Sequence, residues 1–394
     1  MPPLTLDAVF SAVAHARPGA TAVREGTDRL SYGRAEIKAT QLATALVRGG
    51  VQLGDPVVVS CADHAQTLVA HLAVFKAGGV CVPVARNAGR KRCDRIARVS
   101  GAQAVLCSAA TRGPWARQDL VLALDDEETR ARVNALRVEP ALPLSGALDA
   151  SYLLPGPGYG RDLEGQLADH TAWGHLCAAR TEGTGLPAAG AVAVRRAPGE
   201  PVALSAMWWV FANGGTLVTG ADADAVDRTV LRGEATAVVL SPEEYPGVLD
   251  ALEAAGDAVG PRAVVLVGEP CPDELVERHF AVLPDTRLRA EFAPVSGVLP
   301  WTARDFAPPG PPAAAAGGVG RPVPQVQVWV LDPHGEPLPP GRKGRLWAGG
   351  AAVPFDSVRA DHGRQAPPDA GVPLRSDWLG VRRADGTVET VARK

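Results

Sequence analysis

Apolar runs of three to five residues recur along this chain between helix-length stretches, and no other feature restricts its fold as much. Val57–Ser60 follows Asp55-Pro56, Val80–Val84 follows Gly78-Gly79, and Ala104–Cys107 follows a helical pattern over Arg90–Ser100. The alternation returns with Thr216–Val218, Ala237–Leu240 and Ala263–Val267, among helices expected near 206–212 and over 243–255. Strands this short and this apolar are buried on both faces, which requires helices on each side of a parallel sheet. Two further helices are expected early. One covers 33–49, with Ile37, Leu42, Ala45 and Leu46 near helical spacing and a stop at Gly49-Gly50; the other covers 65–77.

The period changes after the breaker-rich stretch 307–318. Val326, Val328 and Val330 alternate with Gln325, Gln327 and Trp329 and run into the turn Asp332–Gly335, the pattern of a β-rich unit. Residues 354–373 are polar and rich in Pro and Gly, and read as an irregular loop. The expected division is a first α/β subdomain over 1–150, a second over 151–310, and a β-rich, barrel-like subdomain over 311–394.

Several function classes are disfavoured at this stage. The formal net charge is −3, and Lys and Arg read as scattered, so nothing marks a nucleic-acid face or an anchor for anionic membranes. The N-terminus has no signal-peptide pattern, and no apolar stretch reaches the ~20 residues that span a bilayer. The expectation is a soluble, cytoplasmic protein. The six cysteines form no CxxC pair and stand at no metal-ligand spacing with the histidines, which points to buried thiols in a reducing compartment.

Several segments, in order and over nearly the whole chain, resemble the large N-terminal domain of the adenylate-forming superfamily. The likeness is to nonribosomal peptide synthetase adenylation domains and their acyl-CoA synthetase relatives. The segments are Leu30-Ser-Tyr-Gly33, Leu72 through Pro83, Asn213 through Val218, Val239 through Pro242, Val264 through Glu269, Val319 through Asp332, and Gly344 through Gly350. The resemblance implies two stacked α/β subdomains with mixed or parallel sheets plus a distorted β-barrel, with the active site where they meet. It also implies that the mobile C-terminal lid domain, with its lysine, is absent, since the chain stops at about the hinge.

In that family a Ser/Thr/Gly-rich loop ending in Lys-Gly wraps the phosphates of ATP with hydroxyls and backbone N–H groups. The matching segment is Ser151 through Gly165, between the anchors Tyr152–Leu154 and Asp169-His170. Inside it stand Pro155, Gly156, Pro157, Gly158, Tyr159, Gly160 and Arg161, and the lysine position is Glu164, followed by Gly165. Exchanging lysine for glutamate beside a polyanion costs on the order of 2–6 kcal/mol, roughly 30-fold to 10⁴-fold in affinity. The two prolines also remove N–H donors.

Further positions carried over from the family are degenerate in the same sense. Phe292 matches the adenine-stacking aromatic, but Ser296 replaces the glutamate that helps hold Mg²⁺. Trp378 stands at the ribose-binding aspartate, with Asp377 one residue early, and Arg393 matches the hinge arginine. In the former amino-acid or acyl pocket, Glu200 falls where the family has the aromatic before its ammonium-binding aspartate, and His170, Trp208 and Gly268 complete the set. Trp208 with Trp209 reads more naturally as core packing.

The packing motifs survive while the phosphate loop, metal ligand, ribose anchor and amine anchor do not, a pattern unlike random decay. The leading expectation is therefore a catalytically degenerate homologue, not an adenylating enzyme, with ATP and Mg²⁺ binding weak or absent and no resident metal. It would act in natural-product assembly through a carrier protein, a condensation domain or an MbtH-like helper. One alternative is an enzyme of altered chemistry on a carrier-bound substrate in the old cleft. Another is an amino-acid-adenylating enzyme that borrows its lid in trans.

Overall fold

A computed structural model describes residues 4–139, 142–156, 164–185, 190–220, 222–256, 259–295, 297–307, 318–359, 363–364 and 373–393. By its own contacts the chain divides into two compact units. The first comprises 1–174, 197–204 and 354–368, and the second comprises 175–196, 205–353 and 369–394. The boundaries expected at 150 and 310 do not coincide with these.

The sheet of the first unit runs, edge to edge, Gly363–Arg364, Asp356–Arg359, Glu164–Asp169, Ala150–Pro155, Val80–Pro83, Pro56–Ser60, Ala104–Cys107 and Val121–Ala123. From Ala150–Pro155 to Val121–Ala123 neighbouring strands are parallel. The strands over 57–59, 80–83 and 104–107 are buried along their whole length, as their unbroken apolar runs require. Asp63 starts the helix His64–Lys76 by accepting the Gln66 N–H at 2.7 Å. That helix is buried over Thr67–Phe75.

In the helix Tyr32–Arg48 the buried stripe is Ala35, Ala39, Leu42, Ala43 and Leu46, while Ile37 is 62% exposed. Five residues separate Ile37 from Leu42, and at 3.6 residues per turn that step leaves the stripe.

Residues 354–373 were expected as an irregular loop, and here the structure differs. Asp356–Arg359 is a strand that pairs antiparallel with Glu164–Asp169, and it extends the first unit's sheet. Its sequence, Asp-Ser-Val-Arg, has too little alternation to announce a strand, and its extended state comes from the partner it pairs with.

In the second unit the strands Thr216–Thr219, Ala191–Val194, Ala237–Leu240, Ala263–Gly268 and Arg287–Phe292 pair in parallel. The same sheet continues antiparallel through Thr302–Phe306, Gly318–Pro322, Val388–Arg393, Leu374–Arg382, Lys343–Gly349 and Gln327–Leu331. One core joins Val226, Val238, Leu240, Leu249, Leu266 and Phe280 under the parallel strands. A second, around Phe292, Trp301, Val328, Val330, Leu346 and Val388, lies under the antiparallel strands.

The six cysteines are free and buried. Among the described residues no helix is long and apolar enough to cross a membrane.

Candidate functional site

The strand Ala150–Pro155 and the returning strand Glu164–Asp169 bracket the segment where a degenerate phosphate loop was expected. They pair antiparallel, with Leu153 opposite Leu167 and Pro155 opposite Gly165. At the mouth of the loop the Gly156 carbonyl accepts a hydrogen bond from Arg92 Nη2 at 3.1 Å, so the helix Arg90–Ser100 holds it. Gly158, Tyr159, Gly160 and Arg161 lie outside the described residues. Glu164 and Gly165 are strand positions, and on their other side their Cα partners are Arg359 and Val358. Glu164, expected at the family's lysine position, is thus part of a β-ladder opposite Arg359.

Asp169 caps the next helix, its Oδ1 accepting the Ala172 N–H at 2.7 Å. His170 follows and is 1% exposed. Its Nδ1 accepts the backbone N–H of Leu6 at 3.1 Å, which ties down the start of the helix Leu6–Ala16, where Thr5 supplies no side-chain cap. Phe75 packs edge-on against the imidazole at 5.1 Å. Burial pushes the His170 pKa down to about 4, against the pull of the Asp7 and Asp149 carboxylates. His170 is therefore a neutral structural acceptor, and its Nε2 is buried without a partner among the described residues.

In the second unit Phe292 ends the strand Arg287–Phe292 and is 2% exposed. The Trp378 indole packs edge-on against it, with ring centroids 5.6 Å apart and planes at 82°. Arg393 is the strand partner of Trp378, places its guanidinium 5.9 Å from the indole centroid and makes an ion pair with Glu269 at 3.0 Å. Glu269, Cys271, Glu291, Phe292 and Arg304 line a small cavity of about 10 Å³, to which Trp378 does not contribute. That holds one water at most.

Asp377 is exposed, unlike its half-buried neighbour Trp378. The strand bulges here: Ser376 Oγ accepts the Trp378 N–H at 3.2 Å and donates to the Leu346 carbonyl at 2.9 Å. A one-residue slip therefore does not put Asp377 in the place Trp378 occupies. Gly268 ends the strand Ala263–Gly268 at φ 115°, a left-handed conformation that favours glycine, and its carbonyl accepts the Ala293 N–H at 2.9 Å. Ser296 lies outside the described residues.

Glu200 is half-buried just ahead of the helix Pro201–Ala212, where its carbonyl accepts the Leu204 N–H at 3.0 Å. Trp208 is 1% exposed and packs edge-on against Phe211 at 6.3 Å. The structure thus brings Phe292, Trp378 and Arg393 together. His170 is drawn instead into a contact with the first helix of its own unit.

Comparison with known proteins then decides the family. A model described as AMP-binding enzyme matches residues 10–152 and 202–354. The chain belongs to the AMP-binding enzyme family. Among curated relatives of this AMP-binding family member is phosphinothricin tripeptide synthetase PhsB from Streptomyces viridochromogenes, 29% identical over 99% of the chain. Novobiocin biosynthesis protein H from Streptomyces niveus is 28% identical over 98% of it. The chain spans 34% of the first relative's length and 65% of the second's. A putative long-chain-fatty-acid CoA ligase from Rhodopseudomonas palustris shares its fold, with TM-score 0.83, 21% identity and 99% coverage of both chains. The fold is the mixed α/β fold of the large N-terminal domain of adenylate-forming enzymes.

One feature of this AMP-binding family member escaped sequence reasoning. Arg180, fully buried, binds Glu291 through Nη2 at 2.5 Å and Nε at 3.2 Å, and donates to the Ser205 carbonyl at 2.8 Å. Arg289 reaches the same carboxylate at 2.7 Å and grips Asp305 with Nη1 at 2.7 and 2.9 Å. The Trp209 ring lies 5.6 Å from the Arg180 guanidinium. The two arginines hold the Glu291 carboxyl below the usual range despite its burial. Arg180 sits in a helix without amphipathic signal, and its partner is more than a hundred residues away, so no local pattern reveals the pair.

Proposed function

We propose that this chain is a catalytically degenerate adenylation-domain homologue that serves natural-product assembly through protein contacts. Its candidate partners are a carrier protein, a condensation domain or an MbtH-like helper, and it does not activate an acid with ATP. The carrying observation is the Trp378 indole set against Phe292. In the family this aromatic offers a face to adenine and the position of Trp378 offers a carboxylate to the ribose. Here the Phe292 ring is buried against the indole, and a hydrophobe has replaced the carboxylate. Both changes remove contacts that a purine nucleotide would use.

Glu164, where the family has its phosphate-binding lysine, supports the same reading, since a carboxylate repels a polyanion. The assembly-line context rests on relatives named for phosphinothricin tripeptide synthesis and novobiocin biosynthesis. The reading also covers location, a cytoplasmic protein, and the absence of a resident metal. The test is ATP–pyrophosphate exchange and trapping of acyl-adenylate with a panel of amino and aryl acids. No exchange, together with capture of a purified carrier or condensation domain, is expected. An acyl-adenylate formed from any acid overturns the proposal.

A further inference from the structure

The antiparallel strands Gln327–Leu331, Lys343–Gly349 and Leu374–Arg382 carry a groove of about 600 Å³. Leu331, Leu338, Trp347 and Leu379 line it with apolar surface, and Arg342, Lys343, Arg345 and Arg375 contribute four cationic groups. The pairing explains the convergence. Lys343, Arg345 and Trp347 alternate onto one face of their strand, with Arg375 the Cα partner of Trp347 and Leu379 that of Arg345.

The acid among the lining residues, Asp332, is already engaged: its Oδ1 accepts the N–H groups of His334 at 2.8 Å and Glu336 at 2.9 Å. Arg345 donates to the Ser376 carbonyl at 3.1 Å. The side chains of Arg342, Lys343 and Arg375 have no ion-pair or hydrogen-bond partner among the described residues. In a chain of net charge −3, this is a local surplus of positive charge around an apolar floor. Such a cluster repels itself until an anion neutralises it.

We propose that this groove binds a small molecule that joins a planar ring to two or more phosphate charges, the chemistry of a nucleoside diphosphate. The ring packs on Trp347 and the leucines, and the phosphates sit among the arginines and Lys343. The volume lies within the range of small-molecule sites. A nucleic-acid strand would need a basic track extending past several nucleotides, whereas these cations converge on one bounded groove. Leu379 lines the groove while its neighbour Trp378 packs on Phe292, so this site is distinct from the former nucleotide position and does not rest on its loss.

The test is calorimetric titration of the full chain with ADP, pyrophosphate and adenosine, repeated on Lys343→Glu/Arg375→Glu and on Trp347→Leu. Thermal unfolding checks that each variant folds. ADP is expected to bind at least about tenfold tighter than adenosine, and the double charge reversal to weaken it by at least about tenfold. Trp347→Leu should weaken ADP and leave pyrophosphate unchanged. ADP binding unaltered by the charge reversal places the nucleotide elsewhere and overturns the proposal. So does the absence of binding at ~10 mM ADP, or tighter binding of a single-stranded oligothymidine. ADP cannot donate an adenylyl group with pyrophosphate release, so failure here and failure of the adenylation assay are separate results.

Discussion

Gly183 stands so close to Arg289 that a β-carbon on the glycine would lie 1.9 Å from the guanidinium Nη1 and 2.7 Å from the Asp305 carboxylate. The helix His170–Thr184 carries glycine in its last turn, and the Arg289–Asp305 ion pair occupies the space a side chain would take. Arginine ends usually move aside at little cost. This one is held at Nε by Glu291 and at Nη1 by Asp305, and is 4% exposed.

Gly183→Ala is therefore expected to destabilise the protein. Alanine in a helix gains up to ~1 kcal/mol over glycine, but displacing a buried, doubly paired guanidinium costs more, so the net loss is about 1–3 kcal/mol. Urea denaturation measures it, and an unchanged or raised midpoint would show that Arg289 moves freely.

The buried charges around Glu291 predict a non-additive mutant cycle. Glu291→Leu strands Arg180 without a counter-charge, and Arg180→Met removes one of the two groups that neutralise Glu291; each costs about 3–5 kcal/mol. The double variant removes both charges while Arg289 keeps Asp305, so it should be more stable than Glu291→Leu alone. A double variant whose loss equals the sum of the two single losses would mean that the ion pair itself contributes little.

Acid should unfold the first unit early. Burial pushes the His71 pKa down to about 3 and that of His170 down to about 4, both from an ordinary 6.5. Both imidazoles are neutral when folded and protonate on unfolding. The stability they contribute is present above pH 6.5 and is lost as pH falls toward 4, by about 1.4 kcal/mol per pH unit for each. Glu25, raised to about 7 by burial, works in the opposite sense between pH 4.5 and 7. His170→Asn should flatten the profile between pH 4 and 6.5, while an unchanged slope would place the linked protons on other groups.

On the proposed reading, Trp378→Asp places a carboxylate where the family binds ribose and leaves Glu164 unchanged. It should lower stability by about 1–3 kcal/mol through lost packing on Phe292 and confer no pyrophosphate exchange. Exchange above background would show that Trp378 alone blocks the chemistry.

The strands Val57–Ser60, Ala104–Cys107, Ala237–Leu240 and Ala263–Val267 were legible because an unbroken apolar run is itself the signal of a strand buried on both faces. The identities of Glu164, Ser296 and Trp378, on which the proposed degeneracy rests, needed no coordinates. Chain order also placed the motifs within one family and gave the mixed α/β class.

Pairing across long separations was not legible. Asp356–Arg359 becomes a strand only beside Glu164–Asp169, and Glu291 is tolerable inside only because Arg180 and Arg289 arrive from elsewhere. Arg342, Lys343 and Arg345 are neighbours in the sequence, but Arg375 joins them only when Lys343–Gly349 pairs with Leu374–Arg382 and sets it beside Trp347. The physical reason is the same throughout. Burial of an apolar run is a property of consecutive residues, whereas charge neutralisation and register depend on which distant segment folding sets alongside.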